Sequence, residues 1–197
     1  MSLLLGSVII GLASAPIAVL KKPRFFWGSA AFDPISFFWV IAFFLFGPLG
    51  ALISSAIGAL AILLFSKEPT PGLGAMLKFI GTLTVWATLY ATAVAFSGSD
   101  ISAVMYFKNV ENYAPAVLLA ACVRCLVEIP ACYYAIPYFL SRSTGAKTNS
   151  LMMIEKFGGM YRYIIIMVAL NFWLTFLDAL IPWLAIFPTG IYKFAYW

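Results

Sequence analysis

Residues 33–81 read DPISFFWVIAFFLFGPLGALISSAIGALAILLFSKEPTPGLGAMLKFIG. Two apolar runs meet at Phe46-Gly47-Pro48-Leu49-Gly50. Pro48 lacks the amide hydrogen that would continue a helix, and glycine on either side of it permits a sharp reversal. Beyond the turn Gly50, Ser54 and Gly58 recur every fourth residue, and so do Ala51, Ser55 and Ala59. Small residues at that spacing let helix backbones approach closely inside a bilayer. A polar corner, Ser66-Lys67-Glu68-Pro69-Thr70-Pro71-Gly72, then leads into a helix carrying Lys78. The stretch predicts a hairpin of packed membrane helices, a corner, and a third helix with an internal charge.

The composition fits that reading. Hydrophobic residues make up 64% of the 197 and charged residues 10%. A soluble domain carries about 25% charged residues, so this chain has no polar coat for water. The apolar runs are continuous rather than alternating, which favours helices over a β-barrel. The expected architecture is an all-α integral membrane protein, one domain of six transmembrane helices with spans at about 3–20, 35–46, 49–65, 73–96, 114–140 and 161–187. The second is shorter than the ~20 residues that cross a bilayer, so it is expected to be packed within protein or extended by the loop before it.

The chain has no histidine, which excludes histidine-based triads, metal sites and proton relays. Cys122, Cys125 and Cys132 lie in one apolar run and read as packing residues, with no metal site and no cofactor implied. An intramembrane enzyme lacks a convincing nucleophile–base pair. The net charge of +5 is no nucleic-acid signature, because the basic residues flank apolar spans, where they orient the chain and meet anionic lipid head groups.

Four charges fall inside apolar spans: Lys78, Arg124, Glu128 and Asp178. A lone charge at bilayer centre costs at least about 2.5–3.5 kcal/mol on insertion scales, so such residues face the bundle interior and pair. Arg124 and Glu128 are one helical turn apart, which leaves Lys78 with Asp178 as the long-range pairing. Asn171, Thr175 and Asp178 share one helix face, and Trp86 and Tyr90 line one face of the fourth span. The charges read equally as an ion-pair network that fixes the bundle or as groups that meet a polar ligand. A proton relay is a further alternative. Pro130 and Pro137 are expected to kink or end the fifth span. Leu151-Met152-Met153-Ile154 is expected to form a short amphipathic turn, and the tail from Tyr192 to Trp197 to anchor at the interface.

The stretch also resembles the substrate-binding S component of energy-coupling-factor (ECF) vitamin transporters, most nearly the riboflavin group. The resemblance rests on Asp33 before the second span, on the turn Phe46, Gly47, Pro48 and Gly50, and on Thr70, Pro71, Gly72, Gly74, Lys78 and Phe79 at the corner. Lys78-Phe79 stands where that group carries Asn-Phe. Asn171 matches its sixth-helix asparagine, and Leu174 occupies the position of its lysine.

The resemblance implies a non-enzymatic binding subunit of the plasma membrane. It would capture a vitamin-like small molecule and hand it inward, powered by a membrane T component and two ATPase subunits. The implied substrate-binding residues are Lys78, Trp86, Arg124, Glu128, Asn171 and Asp178. The stripe Ser7, Gly11 and Ala15 is implied as the docking face for the T component, with ordinary helix packing as its other reading. The loop from Lys21 to Phe32 reads as an interfacial anchor, with Trp27 and the phenylalanines at head-group depth; the resemblance implies a lid over the pocket, and both can hold.

Orientation is read in two ways. The resemblance implies cytoplasmic termini. The odd-numbered connections carry Lys21, Lys22, Arg24, Lys67, Arg142, Lys147, Lys156 and Arg162, against Lys108 and Lys193 on the other side, and the positive-inside rule puts the richer side in the cytoplasm. Attraction of an anionic substrate to an outward pocket would reconcile the two. The other function class is a self-sufficient proton-coupled secondary transporter or channel that uses Glu128 or Asp178.

Overall fold

The computed structural model describes residues 2–19, 34–67, 70–97, 103–143 and 150–196. Asp33, the whole of the expected lid, Glu68, Asp100 and Lys147 lie outside the described residues. The described chain is helical, and no strand occurs in it. Its helices are α1 (Leu3–Val19), α2 (Pro34–Phe65), α3 (Pro71–Ser97), α4 (Ala103–Phe107), α5 (Val110–Ser143), α6 (Ser150–Lys156) and α7 (Met160–Ile186), followed by a 3₁₀ turn at Ile191–Phe194. Four helices are long and apolar enough to cross a membrane: α2, α3, α5 as far as Ala135, and α7. α1 is apolar but shorter.

α2 is not straight. Gly47 breaks it at φ 73°, ψ −169°, a conformation nearly confined to glycine. The two halves fold back on each other. Ile35 and Trp39 share a buried cluster with Ile62, and a Cβ on Gly58 would collide with the Trp39 indole. Residues 39 and 58 would be about 28 Å apart along an unbroken helix. The sequence turn at Phe46–Gly50 is therefore a helical hairpin, with arms at residues 34–46 and 48–65.

α1 lies along this hairpin. Gly6 meets the Phe46 ring, and Ser14 Oγ accepts a hydrogen bond from Trp39 Nε1 at 3.3 Å. Ser54 Oγ donates to the Ser7 carbonyl at 2.7 Å, and Gly11 abuts Ser54 and Ile57. α1 therefore runs antiparallel to the first arm and parallel to the second. Gly50, Ser54 and Gly58 are buried, as their spacing predicted. The stripe on α1 has the same use. Ser7 and Gly11 are buried against the hairpin and Ala15 is half-buried, so Ser7 and Gly11 pack inside the chain and leave no free surface there for a docking partner. Outward from α1 point Leu4, Leu5, Ile9 and Leu12.

α2, α3, α5 and α7 pack in succession around an interior, and α7 returns to α2. α5 buries Tyr113, Ala116, Val117, Ala120, Ala121, Arg124, Cys125 and Glu128, one stripe at helical spacing. Its prolines at 130 and 137 stay inside a helix that continues to Ser143. The connection after α3 contains a helix rather than only a polar loop, and Phe107 at its end is fully buried. Leu151 to Ile154 lie in the short helix α6, with Leu151 and Met152 exposed and Ile154 buried.

Rings fill the bundle at the end that holds both termini. Phe44 packs against Phe107, Tyr113 and Phe187, and Tyr113 stacks on Trp183. Trp183 Nε1 donates to the Phe107 carbonyl at 2.8 Å, and Tyr113 Oη donates to the Ala179 carbonyl at 2.8 Å. The tail closes over this cluster: the Tyr196 amide donates to the Leu45 carbonyl at 2.7 Å, and Lys108 Nζ lies 5.3 Å from the Tyr192 ring centre. The tail thus docks on the bundle, beyond its expected role as an interfacial anchor.

Candidate functional site

Midway along the bundle the apolar interior gives way to polar groups from several elements. α5 supplies Arg124 and Glu128 one turn apart, and Arg124 Nε donates to Glu128 Oε1 at 2.8 Å. α7 supplies Asp178, whose Oδ2 accepts from Arg124 Nη1 at 2.9 Å. Both carboxylates are thus held by one guanidinium, with Asp178 only 1% exposed. The expected i,i+4 pair forms, and Arg124 makes the long-range contact to Asp178. Two carboxylates on one planar fork form a charge-assisted set. It balances much of the desolvation that each ion would suffer alone.

α3 seals the pair from the third side with backbone. A Cβ on Gly81 would lie 2.7 Å from Glu128 Oε1 and 3.2 Å from Arg124 Nη2. Only a glycine lets α3 and α5 approach this closely with both ions in place. The sequence reading missed Gly81, whose one signal is a glycine in the middle of an apolar helix. It also missed the buried hydroxyl pair Ser36–Thr82, 2.8 Å apart, which joins the hairpin to α3 in the same region.

Asn171, Thr175 and Asp178 all lie on the buried face of α7, as their spacing predicted. Thr175 turns its hydroxyl back to the Asn171 carbonyl at 2.8 Å, so it brings no free donor to the site. Lys78 lies half-buried one turn before Gly81. Trp86 is 6% exposed and stacks on Phe43 at 6.4 Å between ring centres, within the largest apolar cluster. Its indole Nε1 is buried with no acceptor among the described residues. Tyr90, expected on the face of Trp86, is exposed.

Thr84, Thr88 and Thr92 bond back to the carbonyls of Ile80, Thr84 and Thr88. They satisfy their own helix and bring no donor to the interior. The structure therefore brings together Arg124, Glu128 and Asp178 directly. Lys78 is one turn before Gly81 on α3, Asn171 is two turns before Asp178 on α7, and Trp86 lies further along α3.

No family model matches the chain, and no curated protein or solved structure is similar to it at a significant level.

Proposed function

We propose that the chain is a solute-binding subunit of the plasma membrane that crosses it six times and serves an ECF-type importer. Its six spans are α1, the two arms of α2, α3, α5 and α7. The observation that carries this reading is the polar layer inside the apolar ring. A bundle that needed only to fold would be stabilised as well or better by apolar residues there, since replacing a buried ion set with apolar side chains is often neutral or stabilising. Ionisable groups kept inside a membrane mark a solute path or site as a rule. The buried indole N–H of Trp86 adds a donor that an acceptor on a solute would satisfy.

Within the six proposed contacts the roles divide. Arg124, Glu128 and Asp178 hold one another and form a fixed polar wall. Lys78, Asn171 and Trp86 supply the ammonium, amide and indole groups that meet the solute. The solute is a vitamin or vitamin-like small molecule, riboflavin-like on the resemblance, and a T component with two ATPases supplies the energy. The test is mass spectrometry of small molecules that copurify with the protein in detergent, followed by binding to Lys78→Met. The expected result is one defined solute whose affinity falls in the variant while the variant stays folded. A protein that carries no solute, or an affinity indifferent to Lys78, removes the proposal.

The two-to-one ratio of carboxylate to guanidinium favours a second reading, a proton-coupled secondary transporter in which Glu128 or Asp178 carries the proton. Uptake that continues without ATPase partners and collapses with the proton gradient selects it.

A further inference from the structure

α7 changes partners at Pro182. Before it, polar contacts run to α5: Cys125 Sγ donates to the Val168 carbonyl at 3.6 Å, Arg124 Nη1 to Asp178 Oδ2 at 2.9 Å and Tyr113 Oη to the Ala179 carbonyl at 2.8 Å. After it, they run to α4 and the hairpin. Trp183 Nε1 donates to the Phe107 carbonyl, the Tyr196 amide donates to the Leu45 carbonyl, and Lys108 Nζ lies over the Tyr192 ring. Rings accompany these contacts, Phe187 against Phe44 and Tyr196 beside Phe46. Tyr113 stands at the boundary, its ring stacked on Trp183.

The helix backbone is weakest at the same point. Pro182 lies on the buried face of α7, one turn after Asp178. It has no N–H to give the Asp178 carbonyl, and its ring crowds that carbonyl. Sharp bends in long helices fall at such residues. A hinge is a short stretch that absorbs backbone change between two packed bodies, and here the change of partners and the missing helix bond coincide. A bundle end that only had to be filled would be served as well by alanine or leucine, with the helix bond intact.

We infer that residues 183–196 are a gate hinged at Pro182, closed in this structure over the end of the bundle that holds both termini. Opening breaks the Trp183 and Tyr196 hydrogen bonds and lifts Trp183, Phe187 and Tyr192 away from Phe44 and Phe107. Asp178, on the near side of the hinge, keeps Arg124 throughout. The movement opens a route between the polar layer and the terminal end without unpacking α5 from the rest of α7. The purpose of the gate, passage of a solute, rests on the solute-binding reading; its mechanics do not.

The test uses the full chain in detergent, with Cys122, Cys125 and Cys132 replaced by serine or alanine and one reporter, Ala179→Cys, on the fully buried turn beneath the gate. Its reaction rate with a charged methanethiosulfonate reagent reads how often the gate opens. Tyr196→Pro deletes the donor to Leu45 and should raise that rate about tenfold. Ala195 before it is already extended, as a residue before proline must be. Pro182→Ala restores a donor to the Asp178 carbonyl; it should lower the rate and cancel the effect of Tyr196→Pro. Hydrogen exchange on the chain without the reporter is the second reading. Residues 183–196 should exchange together with 103–107, and Pro182→Ala should slow both while leaving 160–178 unchanged. A reporter rate indifferent to Tyr196→Pro, or exchange at 183–196 untouched by Pro182→Ala, overturns the gate. A chain that carries no solute yet passes both measurements sinks the solute-binding reading and leaves the gate standing.

Discussion

Gly81→Ala adds one methyl group and brings two opposing effects into measurable conflict. Alanine in a helix interior is favoured over glycine by about 0.8–1.0 kcal/mol. The new Cβ, however, would stand 2.7 Å from Glu128 Oε1 and 3.2–3.4 Å from two nitrogens of Arg124. These atoms are not the loose ends of mobile chains, because Arg124 is pinned to Asp178 on the far side. Overpacking of that kind costs about 1–3 kcal/mol, and displacing the carboxylate from its guanidinium adds to it. The net expectation is a loss of about 1–2 kcal/mol, or a fall in Tm of roughly 2–8 °C for a chain of this size. Thermal unfolding in detergent, followed by tryptophan fluorescence, reads it. The decisive measurement is the same substitution in a Glu128→Ala background. There the colliding oxygen is gone, Arg124 keeps Asp178, and alanine at 81 should become neutral or slightly stabilising. A Gly81→Ala cost that is the same in both backgrounds refutes the close approach of α3 to the ion pair.

Three further outcomes follow from the same geometry. Gly47→Ala forces a side chain into a backbone region nearly confined to glycine and should cost about 1–3 kcal/mol, read as a lower Tm and a smaller monodisperse fraction on gel filtration. Arg124→Met takes the shared guanidinium from two buried carboxylates and should destabilise by about 3–5 kcal/mol. The triple change Arg124→Met, Glu128→Gln, Asp178→Asn should recover most of that Tm, and no recovery would mean the ions do not act as one set. Trp183→Phe keeps the ring but removes the 2.8 Å bond to the Phe107 carbonyl. It should cost about 0.5–1.5 kcal/mol and speed amide hydrogen exchange in residues 103–109 more than elsewhere.

The parts of the fold legible in the sequence were those set by local chemistry. Gly47-Pro48 announced a reversal because proline removes a donor and glycine accepts the backbone it needs. The stripes at 50, 54 and 58, and at 171, 175 and 178, announced buried faces because helical spacing alone places them. The i,i+4 pair of Arg124 and Glu128 was legible for the same reason. What was not legible depends on which helices meet. Nothing local distinguishes Ser7 and Gly11 as packing residues from Ser7 and Gly11 as a docking face; that was decided by the hairpin lying against them. Phe107 looked like part of a polar connector, yet two rings on other elements, Phe44 and Tyr113, draw it into the core. Gly81 gained its meaning only when α5 brought two ions against it. Of the two outcomes expected of Pro130 and Pro137, a kink or a stop, the stop does not occur, since α5 continues past both.

Orientation can be argued through to a result. α1 starts beside the hairpin turn, and the tail docks on Leu45, so both termini lie at the end filled by Phe44, Phe107, Tyr113, Trp183 and Phe187. A solute reaching the polar layer from that end would have to dismantle this cluster and the bonds that tie α4 and the tail to it. The opposite end, which bears Lys67, Arg142, Lys156 and Arg162 among the described residues, is the cheaper approach. For the proposed importer that end must face outward, against the positive-inside bias, with its cations serving to concentrate an anionic solute. The measurement is labelling of Lys156→Cys and Lys193→Cys, both exposed positions at opposite ends, in a chain with Cys122, Cys125 and Cys132 replaced by serine or alanine. A membrane-impermeant maleimide added to intact cells should modify position 156 and spare 193. The reverse pattern would put the basic end in the cytoplasm. The ring-filled end would then be the one facing the nutrient, and the importer reading would fail on access alone.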